Sequence, residues 1–388
     1  MIKMRNPFIV TGKIPAAYFC DRNIESQELI HKLSNGNNVV LISPRRMGKT
    51  GLIHFCYEDE AIKNEYFTFF VDILHTSNLR EFTYNLGRSI YKELVPKGKR
   101  LVKGFIQTLK SISGKFSVNS LDGSLAFGLE LGDIANPELT LEEIFNYLEN
   151  ASKPCIMSID EFQQITHYPE KNIEALIRSH IQNMHNCRFV FAGSERSIMQ
   201  EMFALSARPF YQSADILELN EIPFDTYQAF VIRLFNEFQR NINPDVVEFV
   251  YHLFKGHTFY MQRIFNEAFS NTMKGKNCDR QIINDAIESI LNDKETTYKE
   301  ILSEIPEKQK PLLYAIAREG TAVGLTSTAF LKRHGLPSAS SVQSAVKQLL
   351  NQGFITVIHQ KYSVTDKFFA LWINRIYNEK TELYSVFY

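Results

Sequence analysis

Lys49, Thr50, Asp160 and Glu161 are of a kind and spacing that can handle a nucleoside triphosphate. The first two end the stretch VVLISPRRMGKT, Val39 to Thr50, which follows the phosphate-loop pattern GxxxxGK[ST] except that Ser43 stands at the first glycine. Gly48 lets the backbone approach the phosphates, Lys49 can reach the β and γ oxygens, and Thr50 can ligate Mg²⁺. A helix starting there aims free N–H groups at the anion. Ser43 needs only a conformation open to ordinary residues if Pro44 sets the turn. The expected nucleotide contacts therefore run through Ser43, Pro44, Arg45, Arg46, Met47, Gly48, Lys49, Thr50 and Gly51. Arg45 and Arg46 admit two readings, phosphate contact or pairing with carboxylates on the rim of the loop.

The second stretch, PCIMSIDEFQQI, is an apolar strand ending in Asp160 and Glu161. At that end Asp160 is placed to order a magnesium ion, and Glu161 to polarise the attacking water. By itself an Asp-Glu pair is commonly two surface carboxylates at a strand end; joined to the lysine loop on a neighbouring strand, it reads as a hydrolytic site. A third strand, CRFVFAGSER, delivers Ser194 and Arg196 to the same edge, where ligands of doubly wound sheets sit. Ser194 is the candidate sensor of the γ-phosphate, a helix cap being its alternative. In SARPFY, Arg208 is either a finger for the transferring phosphate charge or a structural arginine.

Elements must hold these groups. Apolar runs at Val39–Ile42, Tyr66–Leu74, Cys155–Ile159, Arg188–Ala192 and Ile216–Leu219 alternate with amphipathic segments. This is the pattern of an α/β fold, a three-layer α/β/α P-loop arrangement around a parallel sheet. FSVNSLDGSLAFGLEL alternates around Asp122–Gly123 and predicts a β-hairpin insert at about 116–131. After Pro223 helical starts take over, with N-cap residues at Asp225, Asn243 and Asp279. From about Glu307 three helices (Lys308–Arg318, Thr326–His334, Ser338–Leu350) precede two short strands in FITVIHQKYSVT, a winged-helix order. The expected domains are a core over 1–223, a helical lid over 224–300 and a winged helix over 301–388.

The 388 residues suffice for two or three cores, and 43 Lys plus Arg balance 43 Asp plus Glu, so no global field draws the chain to DNA or membrane. Five scattered cysteines lack metal or disulfide spacing, and His167, His252 and His257 lack metal spacing. No apolar run is long enough to span a membrane, and the start has no apolar signal core, so a cytoplasmic address is expected. Between Lys92 and Lys115 seven Lys or Arg face one acid, Glu93: a solvated helix face or a partner surface.

The segments FCDRNIESQELIHKL, NNVVLISPRRMGKTGLI, FFVDILHTSNLREF, IMSIDEFQQI, FVFAGSERSIMQEMF and ARPFYQSADILELNEIPFD together resemble the archaeal-type ATPases, a branch of the STAND group related to AAA+ proteins. The resemblance continues through GHTFYMQRIFNEAF and YSVTDKFFALWI and covers nearly the whole chain. It implies ATP/ADP and Mg²⁺ as cofactors, with Lys49 and Thr50 on phosphate and metal, Asp160 ordering the metal and Glu161 activating water. It also implies that Asp21 and Arg22 lie near the adenine and ribose. Members often carry a proline in the lid where this chain has Thr258 after Gly256–His257, and His257 is the lid residue expected near the nucleotide. The family further implies a switch in which ADP holds core, lid and winged helix together and ATP loosens them.

Two functions follow as expectations. One is a slow or partner-stimulated ATPase acting as a regulatory switch on a protein partner. The other is a DNA-binding ATPase of the initiator or loader kind, reading DNA through residues 326–365. From Lys308 to Tyr388 ten Lys or Arg stand against four Asp or Glu, a modest footprint for binding driven by counterion release. Arg208 acting across a subunit boundary would require an oligomer, whose state the sequence leaves open.

Overall fold

The computed structural model describes residues 6–12, 14–20, 22–115, 117–118, 125–126 and 131–377. They form two compact units, Lys13–Asn220 and Met1–Gly12 joined with Glu221–Tyr388. The first unit is built on the parallel strands β1 (Val39–Ile42), β2 (Phe67–Asp72), β5 (Cys155–Asp160), β6 (Cys187–Gly193) and β7 (Asp215–Glu218), in the order β2-β5-β6-β1-β7. A short antiparallel pair, β3 (Ser117–Val118) and β4 (Leu125–Ala126), lies between β2 and β5 in sequence. The Asp122–Gly123 turn expected to join them lies outside the described residues.

The sheet is apolar on both faces, as a parallel sheet covered by helices must be. Val40, Ile42, Phe69, Met157 and Phe191 pack into one core, while Val39, Leu41, Ile156, Val190 and Ala192 pack into the other. This alternation along each strand makes the α/β/α sandwich. Register aligns the carboxyl ends that matter: Ile42 pairs with Gly193, and Asp160 with Asp72. The loop before helix Lys49–Tyr57, the end of β5 and the end of β6 therefore open onto one edge of the sheet. The basic stretch after β2 forms helix Lys99–Thr108, which buries Val102, Phe105 and Ile106 and leaves Lys99, Arg100 and Lys103 exposed.

The second unit starts with helices Phe224–Glu237, Pro244–Phe254, Thr258–Asn271 and Arg280–Asp293, with two-residue strands β8 (Asn241–Ile242) and β9 (Asn277–Cys278) pairing between them. Asp279 caps its helix as expected, accepting a 3.0 Å bond from the Ile282 amide. Asp225 does not cap: Pro223 holds the cap position at φ −52°, ψ 141°, and Asp225 falls in the first turn, where its charge favours the helix N-terminus. Asn243 occupies the cap position of the next helix without a side-chain capping bond.

Helices Lys310–Glu319, Thr328–His334 and Ala339–Asn351 then lead into β10 (Ile355–Ile358) and β11 (Lys361–Val364). These strands pair antiparallel around His359 and Gln360, both with positive φ, the backbone a two-residue hairpin turn requires. Helix Lys367–Tyr377 follows, and it buries Trp372 completely. Phe8, also fully buried, packs among Phe230, Phe235, Phe265 and Phe269, so residues 6–12 belong with this helical unit.

Candidate functional site

The phosphate loop turns tightly between β1 and helix Lys49–Tyr57. Gly48, the residue before the helix, sits at φ 92°, ψ 19°, a left-handed conformation in which glycine carries no steric penalty. Arg46 also has positive φ (69°), whereas Ser43 does not, so the residue in the first-glycine position needs no glycine. Ser43 is buried, its amide bonds the Gly193 carbonyl at 3.3 Å and its hydroxyl donates to the Pro44 carbonyl at 2.9 Å. Met47 and Lys49 are buried beneath the loop, while Arg45, Arg46, Gly48 and Thr50 are exposed. Gly51 lies half-buried beneath the Phe19 ring, which stacks on Phe55 at 4.6 Å.

Thr50 Oγ1 donates to Asp160 Oδ2 at 2.7 Å, which joins the loop to the end of β5. Burial pushes the Asp160 carboxyl above its ordinary pKa, against the pull of Lys49 and of the Thr50 hydroxyl. A buried carboxylate in that condition is a good ligand for a cation. The hydroxyl and the carboxylate are hard oxygen donors of the kind magnesium takes, with phosphate oxygens and water supplying the rest of an octahedral shell.

Glu161 follows in a left-handed conformation (φ 56°, ψ 41°), its amide donating to Asp160 Oδ1 at 3.0 Å. Its Oε2 accepts 2.6 Å bonds from Ser194 Oγ and from Gln163 Nε2, and Arg45 Nε lies 3.3 Å from Ser194 Oγ. Burial alone would raise the Glu161 pKa, but Lys49, the bonds from Ser194 and Gln163, and the Arg45 charge bring it below the ordinary value. Glu161 is thus a fixed, ionised carboxylate beside the lysine. Gln163 was not anticipated as a site residue; it stands in the DEFQQI run, but only the fold shows that it turns back onto Glu161. Its Oε1 is buried and without a hydrogen-bond partner among the described residues.

Gly193 makes this arrangement possible. A Cβ there would stand 2.5 Å from the Met199 side chain and 2.6 Å from Gln163 Oε1.

Other expected residues have other neighbours. Arg22 is buried, with Glu25 at 2.7 Å and the Met47 carbonyl at 3.3 Å, so it braces the phosphate loop from below. Asp21 lies outside the described residues. Arg196 pairs with Glu218 at 2.6 Å. Arg208 is held by Glu174 and, at 3.0 Å, by Glu201, and its hydrogen bonds do not reach the phosphate loop. His257 belongs to the second unit, where it precedes helix Thr258–Asn271 and meets the Tyr260 ring edge-on.

A parallel sheet that carries a lysine loop on one strand and an Asp-Glu pair on the next but one is a P-loop NTPase core. The chain belongs to the family described as ATPase domain predominantly from Archaea, whose model matches residues 19–264; a second model, described as probable winged helix domain, matches residues 296–375. In fold, the chain is similar to a Walker-type ATPase of Pyrococcus abyssi, with 19% identity and a TM-score of 0.65 over 95% of this chain and 99% of that one. It is similar also to the ORC2 protein of Aeropyrum pernix in its ADPNP–ADP complexes, at 12% identity and TM-score 0.58, covering 96% and 97%. The Aeropyrum pernix ORC1 protein in complex with DNA follows at 13% identity and TM-score 0.50, with the same coverage. No curated protein sequence matches the chain significantly. Among the described residues no helix is long and apolar enough to cross a membrane.

Proposed function

We propose that the protein binds MgATP on the loop Ser43–Gly51, hydrolyses it slowly, and uses the nucleotide state to control engagement of a protein partner. The observation that carries the hydrolytic reading is the continuous bonded path from Thr50 through Asp160 to the adjacent Glu161, itself fixed by Ser194 and Gln163. Thr50 and Asp160 would hold the magnesium ion, which when bound neutralises charge on the β and γ phosphates. Lys49 adds a positive charge where the γ-phosphate is transferred, and Ser194 reports its position to Glu161 through their shared bond. Glu161, ionised, orients the attacking water and takes its proton. We place Asp21 and Arg22 on the adenosine side and His257 in the lid that covers the nucleotide, as the family resemblance implies. Arg208 can act as a finger only by leaving Glu174 and Glu201, which favours its reading as a brace.

The partner reading rests on the winged helix. Its third helix, Ala339–Asn351, exposes Ser340, Ser341, Gln343, Ser344 and Lys347, a polar face with a single charge. Counterion release scales with the number of phosphates neutralised, so this face offers little affinity for a duplex. The fold likeness to an ORC1 protein in complex with DNA favours the second reading, a DNA-engaging ATPase using residues 326–365.

Steady-state ATP turnover, with and without duplex DNA at low and moderate salt, separates them. The expected result is slow turnover indifferent to DNA and reduced about 100-fold or more in Glu161→Gln. DNA stimulation that fades with salt would replace the protein-partner reading with the DNA reading. Equal turnover by Glu161→Gln would remove Glu161 from the chemistry.

A further inference from the structure

The second unit has a small recess, partly open to solvent, where the end of helix Pro244–Phe254 meets the winged helix. Leu253, Phe254, Ile316 and Val364 form its apolar walls, and its polar lining comes from two lysines, Lys255 and Lys367. They arrive from different elements. Lys255 ends its helix in a left-handed conformation (φ 50°), and Lys367 is the first residue of helix Lys367–Tyr377. A cation is disfavoured at a helix N-terminus, where the free amides favour an anion.

Neither lysine has a carboxylate within ion-pair distance among the described residues. Lys367 Nζ donates to Ser363 Oγ at 2.9 Å and to the Val364 carbonyl at 3.0 Å, and Lys255 Nζ to Thr321 Oγ1. All three acceptors are neutral. Asp366, the neighbouring acid, is engaged by the Phe368 amide at 2.9 Å, the Phe369 amide at 3.4 Å and the Tyr298 hydroxyl at 3.3 Å. The other charge acting on Lys255 is Lys361 on β11. The field of these groups shows in their titration. Burial, then Lys255, lowers Lys367 to about 8 despite Asp366; burial, then Lys367 and Lys255, lowers His257 to about 4. Two lysines brought to one recess from a helix end and a helix start repel each other, and an anion between them would relieve both.

We propose that this recess binds a small oxyanion of the phosphate class, clasped between Lys255 and Lys367, and that its occupancy fastens the helical subdomain to the winged helix. The recess lies in the second unit, and the phosphate loop belongs to the first. It would make the stability of this joint depend on free phosphate, a product of the proposed hydrolysis.

The test uses the full chain with Lys49→Ala, so that the phosphate loop does not report. Thermal unfolding is compared in millimolar inorganic phosphate and in chloride of equal ionic strength. Phosphate should raise Tm by about 2–4 °C near pH 7. The shift should vanish by about pH 9.5, where Lys367 has lost its proton even though phosphate carries more negative charge. It should be absent in Lys367→Met and in Lys255→Met, whose exposed position keeps the test valid if Lys367→Met does not fold. Line broadening of inorganic phosphate in ³¹P NMR should follow the same pattern. A shift equal in chloride, or one that persists in Lys255→Met, would overturn the proposal.

Discussion

Glu161 and its three neighbours divide the labour that a single general base would otherwise carry. Ser194 and Gln163 both donate to one oxygen, Oε2, and the Arg45 charge stands behind Ser194. Because the Ser194 bond lowers the Glu161 pKa, its removal must raise it. Ser194→Ala should therefore lower kcat by about 10-fold and move the acid limb of the kcat/KM profile to higher pH. An unchanged limb would mean that another group titrates. Arg208 permits an equally sharp division. A brace between Glu174 and Glu201 predicts that Arg208→Ala lowers Tm through two unpaired carboxylates, one partly buried, while ATP turnover at a permissive temperature stays within about 2-fold. A finger predicts the reverse, a loss of about 100-fold or more in turnover with Tm unchanged.

At the scale of elements, the end of β6 controls the end of β5. Gly193 lets Gln163 and Met199 close over it, and a methyl there must displace one of them. Gly193→Ala should cost about 1–3 kcal/mol in urea unfolding and lower turnover as well, because one of the two side chains in the way, Gln163, is bonded to Glu161. Turnover preserved at parental level would show that Met199 alone gives way. The strands themselves were legible because parallel strands covered on both faces must be written in uninterrupted apolar residues, as VVLI and CIMSID are. Lys49, Thr50, Asp160 and Glu161 were legible because their spacing from a strand end is local. What was not legible was non-local: Gln163 turning back through the left-handed Glu161, Arg22 reaching the Met47 carbonyl, and Phe8 filling a core made by helices more than 200 positions later. No periodicity marks such contacts. Asp225 shows the converse limit, since a good capping residue lost its position to a proline two residues before it.

For the whole molecule, the balance of 43 basic and 43 acidic residues conceals a local excess of positive charge in the second unit, and that excess should govern how the unit responds to pH. His257 is lowered to about 4 and Lys367 to about 8, each below its unfolded value. Between the folded and unfolded pKa values of such a group the unfolded chain binds the extra proton, so stability rises with pH across each window. His257 acts from about pH 4 to about 6.5, and Lys367 from about pH 8 to about 10.5. The upper window is the diagnostic one. Trp372, the chain's one tryptophan, is buried on the same helix as Lys367, stacked on Phe369 and tilted against Tyr298. Its fluorescence therefore reports unfolding of this unit. In urea titrations followed at Trp372, the parent protein should gain on the order of 1 kcal/mol or more between pH 8 and 10.5 relative to Lys367→Met, measured without phosphate. Identical pH dependence in the two proteins would show that Lys367 keeps its proton in the folded state, its charge already satisfied by the Ser363 and Val364 oxygens.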